Sequence, residues 1–405
     1  MRETFRYSIF AGLLTLALFL APFDLVSKAQ SSVDQEVQTM ASALDENQNR
    51  VLDDSEILNA IQLWILGEAL PDGEVINDAS ILNLVQLWIT GESISGPPLM
   101  GDDVGGDAPQ TACTEPAGTF LSKFGEKGTT EDNHFWSPRG IAVDSAGNVY
   151  VADFSLHIVK KFDTNGAFVT KWNNKSSDEV QFWSPRGVAV DSESNVYIAY
   201  SLSDEIHDRI QKFDTNGTYL NEWGTHGAAN AEFKTPEGVA VDSAGNIYVA
   251  DRGNDRIQKL DRAGQYLNQW SINGQTDNEH MDPTGVAVDN AGNIYVTDAL
   301  RDRVQKFDPD GKYLLQFGSN GISDGQFQRP LGVAVDSAGN VYVADTDNGR
   351  IQKFDANGTY LTSWGKTGIE DGEFSFPHGV AVDRSGHVYV SDTGNNRIQK
   401  FCGGL

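Results

Sequence analysis

Positive charge is scarce in this sequence. Its 405 residues carry 30 Lys+Arg against 57 Asp+Glu, a formal net charge of −27. General binding to a phosphate backbone needs a basic surface, so the balance argues against a nucleic-acid partner. It suits a soluble protein in a salty or calcium-bearing medium. Cysteine is scarcer still, with only Cys113 and Cys402. The seven His (134, 157, 207, 226, 280, 378 and 387) are scattered and form no spaced metal-ligand set. No Gly-x-Ser-x-Gly elbow, phosphate loop or free Cys paired with His is present. Long apolar runs are absent apart from residues 9–20.

That one run belongs to an expected secretory signal at residues 1–29. Arg2 and Arg6 give the positive start, and Ser27-Lys28-Ala29 gives a small-x-small cleavage site ahead of Gln30. The other reading, an uncleaved membrane anchor, meets a run that is short for spanning a bilayer. The sequence therefore predicts a secreted or cell-surface protein with no membrane span after cleavage.

What the chain does have is one sentence written six times. A glycine after Pro-x recurs at Gly140, Gly187, Gly238, Gly285, Gly332 and Gly379, with spacings of 47, 51, 47, 47 and 47 residues. A fixed period of this length means a repeat architecture. Each copy parses into four short strands, as in Gly-Val-Ala-Val-Asp, Asn-Val-Tyr-Val-Ala-Asp, Arg-Ile-Gln-Lys-Phe-Asp and Thr-Tyr-Leu-Thr-Ser-Trp-Gly of the copy at Gly332. Val, Ile, Tyr and Phe dominate the strands, while Gly, Asn and Asp fill the turns. The first two strands are apolar on both faces, as strands sandwiched between neighbouring sheets are. Four-stranded blades set radially round an axis fit the pattern.

Pro-x-Gly-Val-Ala-Val-Asp, Gly-Asn-Ile/Val-Tyr-Val-Ala-Asp and Asn-x-Arg-Ile-Gln-Lys-Phe resemble NHL repeats. With six copies, the resemblance implies a mainly β fold, a six-bladed β-propeller over residues 117–402.

Residues 41–92 read as a second, small α-helical module. Residues 45–56 form a 12-residue loop with oxygen ligands Asp45, Asn47, Asn49, Asp53 and Glu56, and the Val51 carbonyl at position seven. Ca²⁺ takes six to eight oxygens, and this EF-hand-type spacing wraps them round one centre. Position six, usually Gly, is Arg50. A helix with an apolar stripe of Ile57, Leu58, Ile61, Leu63, Trp64 and Ile65 follows. The unit recurs after 24 residues, with Gln62-Leu63-Trp64 matched by Gln86-Leu87-Trp88, but Ala69, Pro71 and Ser80 replace ligands in the second loop. The pair is similar to a dockerin with one loop stripped, which implies one Ca²⁺ and a cohesin-like partner. A calcium-stabilised helical hairpin with no partner is the other reading.

Residues 93–116 are a Gly- and Pro-rich linker. Residues 118–125 then match the fourth strand of a repeat, although no repeat precedes them. The last repeat stops at Phe401-Cys402 without its fourth strand. The two defects cancel if the early strand completes the sixth blade and removes an open edge. Cys113 and Cys402 flank that seam, so a disulfide or two free thiols are the alternatives.

In such a blade the loop between the second and third strands shares a rim, here the top, with the loop between blades. A repeated Asp-x-x-x-x-Arg sits there: Asp251 and Arg256, Asp298 and Arg303, Asp345 and Arg350, Asp392 and Arg397. A structural ion pair is the favoured reading. Departures from the repeat cluster on the first two blades. Trp136 with Arg139, and Trp183 with Arg186, stand in the between-blade loops. Phe154 and His157 replace polar residues, and Tyr200 replaces the Asp. Exposed aromatics beside Arg suit a sugar face, a carboxylate or a partner's hot spot, so these seven residues are the candidate ligand site. The other reading has both tryptophans filling the groove between blades. The residue between Pro and Gly makes a mixed ring, Arg139, Arg186, Glu237, Thr284, Leu331 and His378.

Three functions remain. A monomeric binding or scaffold protein for a protein or carbohydrate ligand is favoured over an extracellular lyase or hydrolase, directed at a polysaccharide or lactone, working at the propeller mouth. Intracellular RNA or protein recognition of the tripartite-motif kind is opposed by the signal peptide, the acidity and the absence of a RING-type Cys/His set.

Overall fold

The computed structural model describes residues 113–173, 183–201, 207–271 and 282–404. The expected signal and the calcium loop with its ligands Asp45, Asn47, Asn49, Val51, Asp53 and Glu56 lie outside the described residues.

The six copies form six four-stranded antiparallel sheets. The first blade consists of Pro138–Val143, Val149–Asp153, Ile158–Phe162 and Phe168–Trp172. Each copy repeats this order, and the sixth ends in Pro377–Val382, His387–Asp392 and Arg397–Cys402. Its fourth strand is Phe120–Phe124, which pairs antiparallel with Arg397–Cys402. The expected closure is therefore present. It is clamped by a Cys113–Cys402 disulfide, and Cys113 N–H donates to the Ser385 carbonyl at 2.8 Å. These contacts carry the propeller back to Cys113, ahead of the boundary expected at residue 117.

The Val-Ala-Val run builds the junctions by simple alternation, since successive side chains on a strand point to opposite faces. Ala142 and Tyr150 of the first blade pack with Val188 and Val196 of the second. Ala381 and Tyr389 of the sixth pack with Ile141 and Val149 of the first, which closes the circle. At the axis, backbones approach too closely for a side chain. A Cβ at Gly140 would strike the Arg186 carbonyl oxygen, and one at Gly379 would strike that of Arg139. This close approach explains the recurring glycine. It also sets the residue before each glycine against the next blade.

The bottom turn is held by its aspartate. Asp144 accepts from the N–H groups of Ala146 and Asn148 and from the buried Tyr150 hydroxyl at 2.9 Å. Asp336 does the same for Ala338, Asn340 and Tyr342. Among the described residues no helix is long and apolar enough to cross a membrane.

Candidate functional site

Strand register fixes which groups share the top. Pro330 lies opposite Asp345, and Asp345 opposite Arg350. The loop before each inner strand and the loop between second and third strands therefore meet on one rim.

The repeated Asp and Arg on that rim are structural, as expected. Arg256 Nε donates to Asp251 at 2.7 Å, Arg350 to Asp345 at 2.7 Å, Arg397 to Asp392 at 2.7 Å and Arg303 to Asp298 at 3.0 Å. The aspartates are fully buried. Asp345 also accepts from Gln328 N–H, Asn348 and Gln352, while Arg350 reaches the Ser323 and Gln326 carbonyls. Each pair ties the between-blade loop to its own sheet.

The first blade breaks this device. Ile158 stands where the Arg does elsewhere, and Asp153 instead accepts from the N–H groups of Trp136, Ser137, Ser155 and Leu156. Lys160 replaces the repeat's Gln and donates to the Asp132 carbonyl at 2.9 Å and to the His134 carbonyl. Burial pushes its pKa down to about 8. A hollow of about 290 Å³ lies beside it, lined by Glu131, Leu156, Ile158 and Trp172 among others.

Arg139 and Arg186 of the first two blades flank the Phe154 ring. The Arg139 guanidinium lies 3.6 Å from the Phe154 ring centre, and that of Arg186 lies 5.3 Å from it. Contacts of this kind contribute about 0.5–2 kcal/mol each. His157 accepts a hydrogen bond on Nδ1 from Ser184 N–H at 2.9 Å and meets the Trp183 ring edge-on, 5.0 Å between centres. His157 has φ +60°, in the left-handed region where Asp255, Asp302 and Asn396 serve in other blades. Trp136 is 47% exposed and Trp183 40%. Lys127 Nζ lies 5.1 Å from the Trp136 ring centre.

Tyr200 is a correction. It is 2% exposed and packs in the core between the first two blades, with Trp172, Val188 and Phe213. It stands at the end of an inner strand sandwiched between sheets, so burial replaces the rim contact expected of it.

Glu237 and His378 of the mixed ring, with Arg252 and Arg329, complete the mouth. Glu237 is 5% exposed and hydrogen-bonds to Arg186. Arg139 Nη1, Arg252 Nη1 and His378 Nε2 each lie 3.7 Å from its carboxylate. Arg252 is otherwise bound by Asp282, and Arg329 by Asp347 at 2.9 Å. His378 is held well below its ordinary value, first by burial and then by the surrounding charge of Arg139, Arg186, Arg329 and Arg252. Arg139 is also lowered, mainly by burial, with Glu237 opposing. The Nε atoms of Arg139 and Arg186 are buried without a partner among the described residues. A buried donor left unmatched costs about 1–3 kcal/mol. Phe376, 57% exposed, lies just before Pro377 in the sixth blade, next to the first. Beneath lies an axial cavity of about 70 Å³, lined by Arg186, Glu237, Thr284, Leu331, His378 and the inner-strand glycines and valines. Five members of the mixed ring, all but Arg139, line this one small space. Among the described residues no three His, Cys, Asp or Glu side chains are grouped to hold a metal ion.

The NHL repeat family model matches residues 135–162, 233–260, 281–307, 327–354 and 374–401. The second blade, where Tyr200 breaks the pattern, is not among these segments. Five of the six blades therefore carry NHL repeats. A Bacteroides thetaiotaomicron structural genomics protein of unknown function superposes with a TM-score of 0.55 at 18% identity, over 72% of this chain and 75% of that one. An auxiliary nutrient binding protein from the same organism superposes with a TM-score of 0.51 at 13% identity, again over 72% and 75%. A streptogramin B lyase reaches 0.49 at 13% identity, over 69% of this chain and 97% of its own. At such identities the likeness is one of fold.

Proposed function

We propose that the chain is a secreted, calcium-binding NHL propeller that recognises a ligand on its top rim, at the mouth formed by the first two blades. The observation that carries this reading is the stack of Arg139 and Arg186 on Phe154, flanked by the half-exposed Trp136 and Trp183. Four other blades keep the Asp–Arg pair that the fold uses. The first two give it up side by side, and the residues they carry instead leave indoles open to solvent. Large aromatic faces beside arginine are the composition of binding hot spots. In this reading residues 41–92 hold one Ca²⁺ through Asp45, Asn47, Asn49, Val51, Asp53 and Glu56 and attach the protein to a surface or scaffold.

The test is to screen the full chain against secreted proteins and glycans. Any ligand found is then checked for shielding of indoles from mild oxidation, read by peptide mapping. Protection of Trp136 and Trp183 supports the rim. A bound ligand that leaves both open to oxidation places recognition elsewhere.

A further inference from the structure

We propose that the mouth of the propeller holds an oxyanion, a carboxylate or a sulfate ester carried by an acidic oligosaccharide, with Arg139 as its principal donor. This rests on the reading of the top rim as the ligand site. The protein carries a net charge of −27, yet four arginines converge on one end of its axis. Their acidic partners do not match them. Asp282 is taken by Arg252, and Asp347 by Arg329. Glu237 alone serves both Arg139 and Arg186, and it spends its hydrogen bond on Arg186. Arg139 is left with a 3.7 Å ion pair, a ring beneath it and no hydrogen bond among the described residues.

A guanidinium offers five N–H donors in a fixed fork that fits a planar or tetrahedral oxyanion. Phe154 holds this fork in place before any ligand arrives, which reduces the cost of ordering it. His378 lies in the same field, and burial first, then the charge of the four arginines, holds its pKa well below the ordinary value. Among the described residues Glu237 is the carboxylate that lines the axial cavity. Its charge is already balanced by Arg186, with Arg252 also within 3.7 Å.

The occupant follows from the shape. Arg139 lies 3.7 Å from Glu237, which lines the axial cavity of about 70 Å³ together with Arg186 and His378, a space that admits a small charged head group and little else. Trp136 and Trp183, 47% and 40% exposed, stand three residues before Arg139 and Arg186 in the loops that lead into the first two inner strands. Sugar rings on either side of one acidic residue have flat faces to offer, and indoles bind them through their apolar surfaces.

The experiment is calorimetric titration of the full chain with an oligogalacturonate, a sulfated galactan oligosaccharide, a neutral galacto-oligosaccharide of the same length and a polyglutamate peptide. Arg139→Gln is titrated alongside, with a thermal melt to confirm its fold. Arg139→Thr is a second variant, since Thr284 fills the equivalent place in the fourth blade. The proposal expects one charged sugar to bind at least about tenfold more tightly than the neutral one, and both substitutions to remove that difference, a loss of about tenfold to a hundredfold. Which charged sugar binds identifies the carboxylate or the sulfate as the group read. Equal binding of neutral and charged sugars, abolished by removing Trp136 and Trp183, overturns the anion while leaving the rim as a site. Preference for polyglutamate overturns the glycan in favour of an acidic protein. Binding of none of the four probes overturns the proposal outright.

Discussion

The guanidinium of Arg139 rests 3.6 Å from the ring centre of Phe154, and this contact joins the start of the inner strand, just past the between-blade loop, to the loop between second and third strands of the same blade. Elsewhere on the rim those two loops are tied by a buried aspartate and an arginine. The contrast divides the top into a part that holds the fold and a part freed from that duty.

The structural part is testable through Asp345. It is fully buried and accepts from Arg350, Asn348, Gln352 and the Gln328 N–H. Removing one partner of a buried pair leaves the other uncompensated, at a cost of about 3–5 kcal/mol. Asp345→Ala should therefore lower the denaturant midpoint steeply. A change within 1 kcal/mol, taken here as about the effect of an exposed pair, would place the pair's worth at that of a surface contact.

The seam gives a second prediction. The Cys113–Cys402 bridge spans 289 residues and joins the first described residue to the last strand. Its loss should destabilise the propeller by about 2–5 kcal/mol. Hydrogen exchange on the reduced protein should show Phe120–Phe124 opening first. Uniform exchange over all six blades would mean that the strand holds without its clamp.

Lys160 predicts a dependence on pH. Burial lowers its folded pKa to about 8, with Lys171 adding to the effect and Asp153 and Asp132 opposing it. Between about 8 and the ordinary lysine value, the unfolded chain binds more protons there than the folded one. Stability from this group therefore rises as pH climbs through that window and is reduced below it. Lys160→Gln restores the residue that the other blades carry. Melts at pH 7.5 and 9.5 should show a smaller alkaline gain in this variant than in the parent. Identical gains would mean that Lys160 does not titrate there.

Much of this was legible in the sequence, for identifiable reasons. The alternation of Val-Ala-Val and the Pro-x-Gly period wrote the blades, because those patterns have one packing solution. The orphan strand at residues 118–125 and the two cysteines wrote the closure. The Asp–Arg pairs were legible because they recur. Tyr200 was misjudged because a rim position and a core position differ by the turn of one side chain at a strand end. Arg252 and Arg329 were harder to see, since Arg252 pairs with Asp282 at the entry to the next blade and Arg329 meets Asp347 only when two loops of the fifth blade come together. The close approach of inner-strand backbones, as at Gly187 and Gly332, brings the residues before those glycines together round one cavity. Phe376 left a signal, the run Phe374-Ser375-Phe376-Pro377, that echoes Phe135-Trp136-Ser137-Pro138 one position displaced.

The calcium loop yields its own prediction. Calorimetry on the full chain should find one Ca²⁺, with a Kd on the order of 10⁻⁴–10⁻³ M if the loop behaves as an extracellular module. Asp45→Ala should abolish binding and leave the melting of the propeller unchanged. Two equivalent ions would mean that the second loop, with Ala69 and Pro71, binds as well.

The most direct test of the rim as a ligand site is the double substitution Trp136→Ala with Trp183→Ala, measured for ligand affinity and melting temperature together. Because both indoles are half exposed, the account predicts binding weakened by about thirtyfold or more, the scale of a hot spot, with the melting temperature nearly unchanged. A fall of many degrees with full binding by the folded fraction would contradict it and return both tryptophans to the fold.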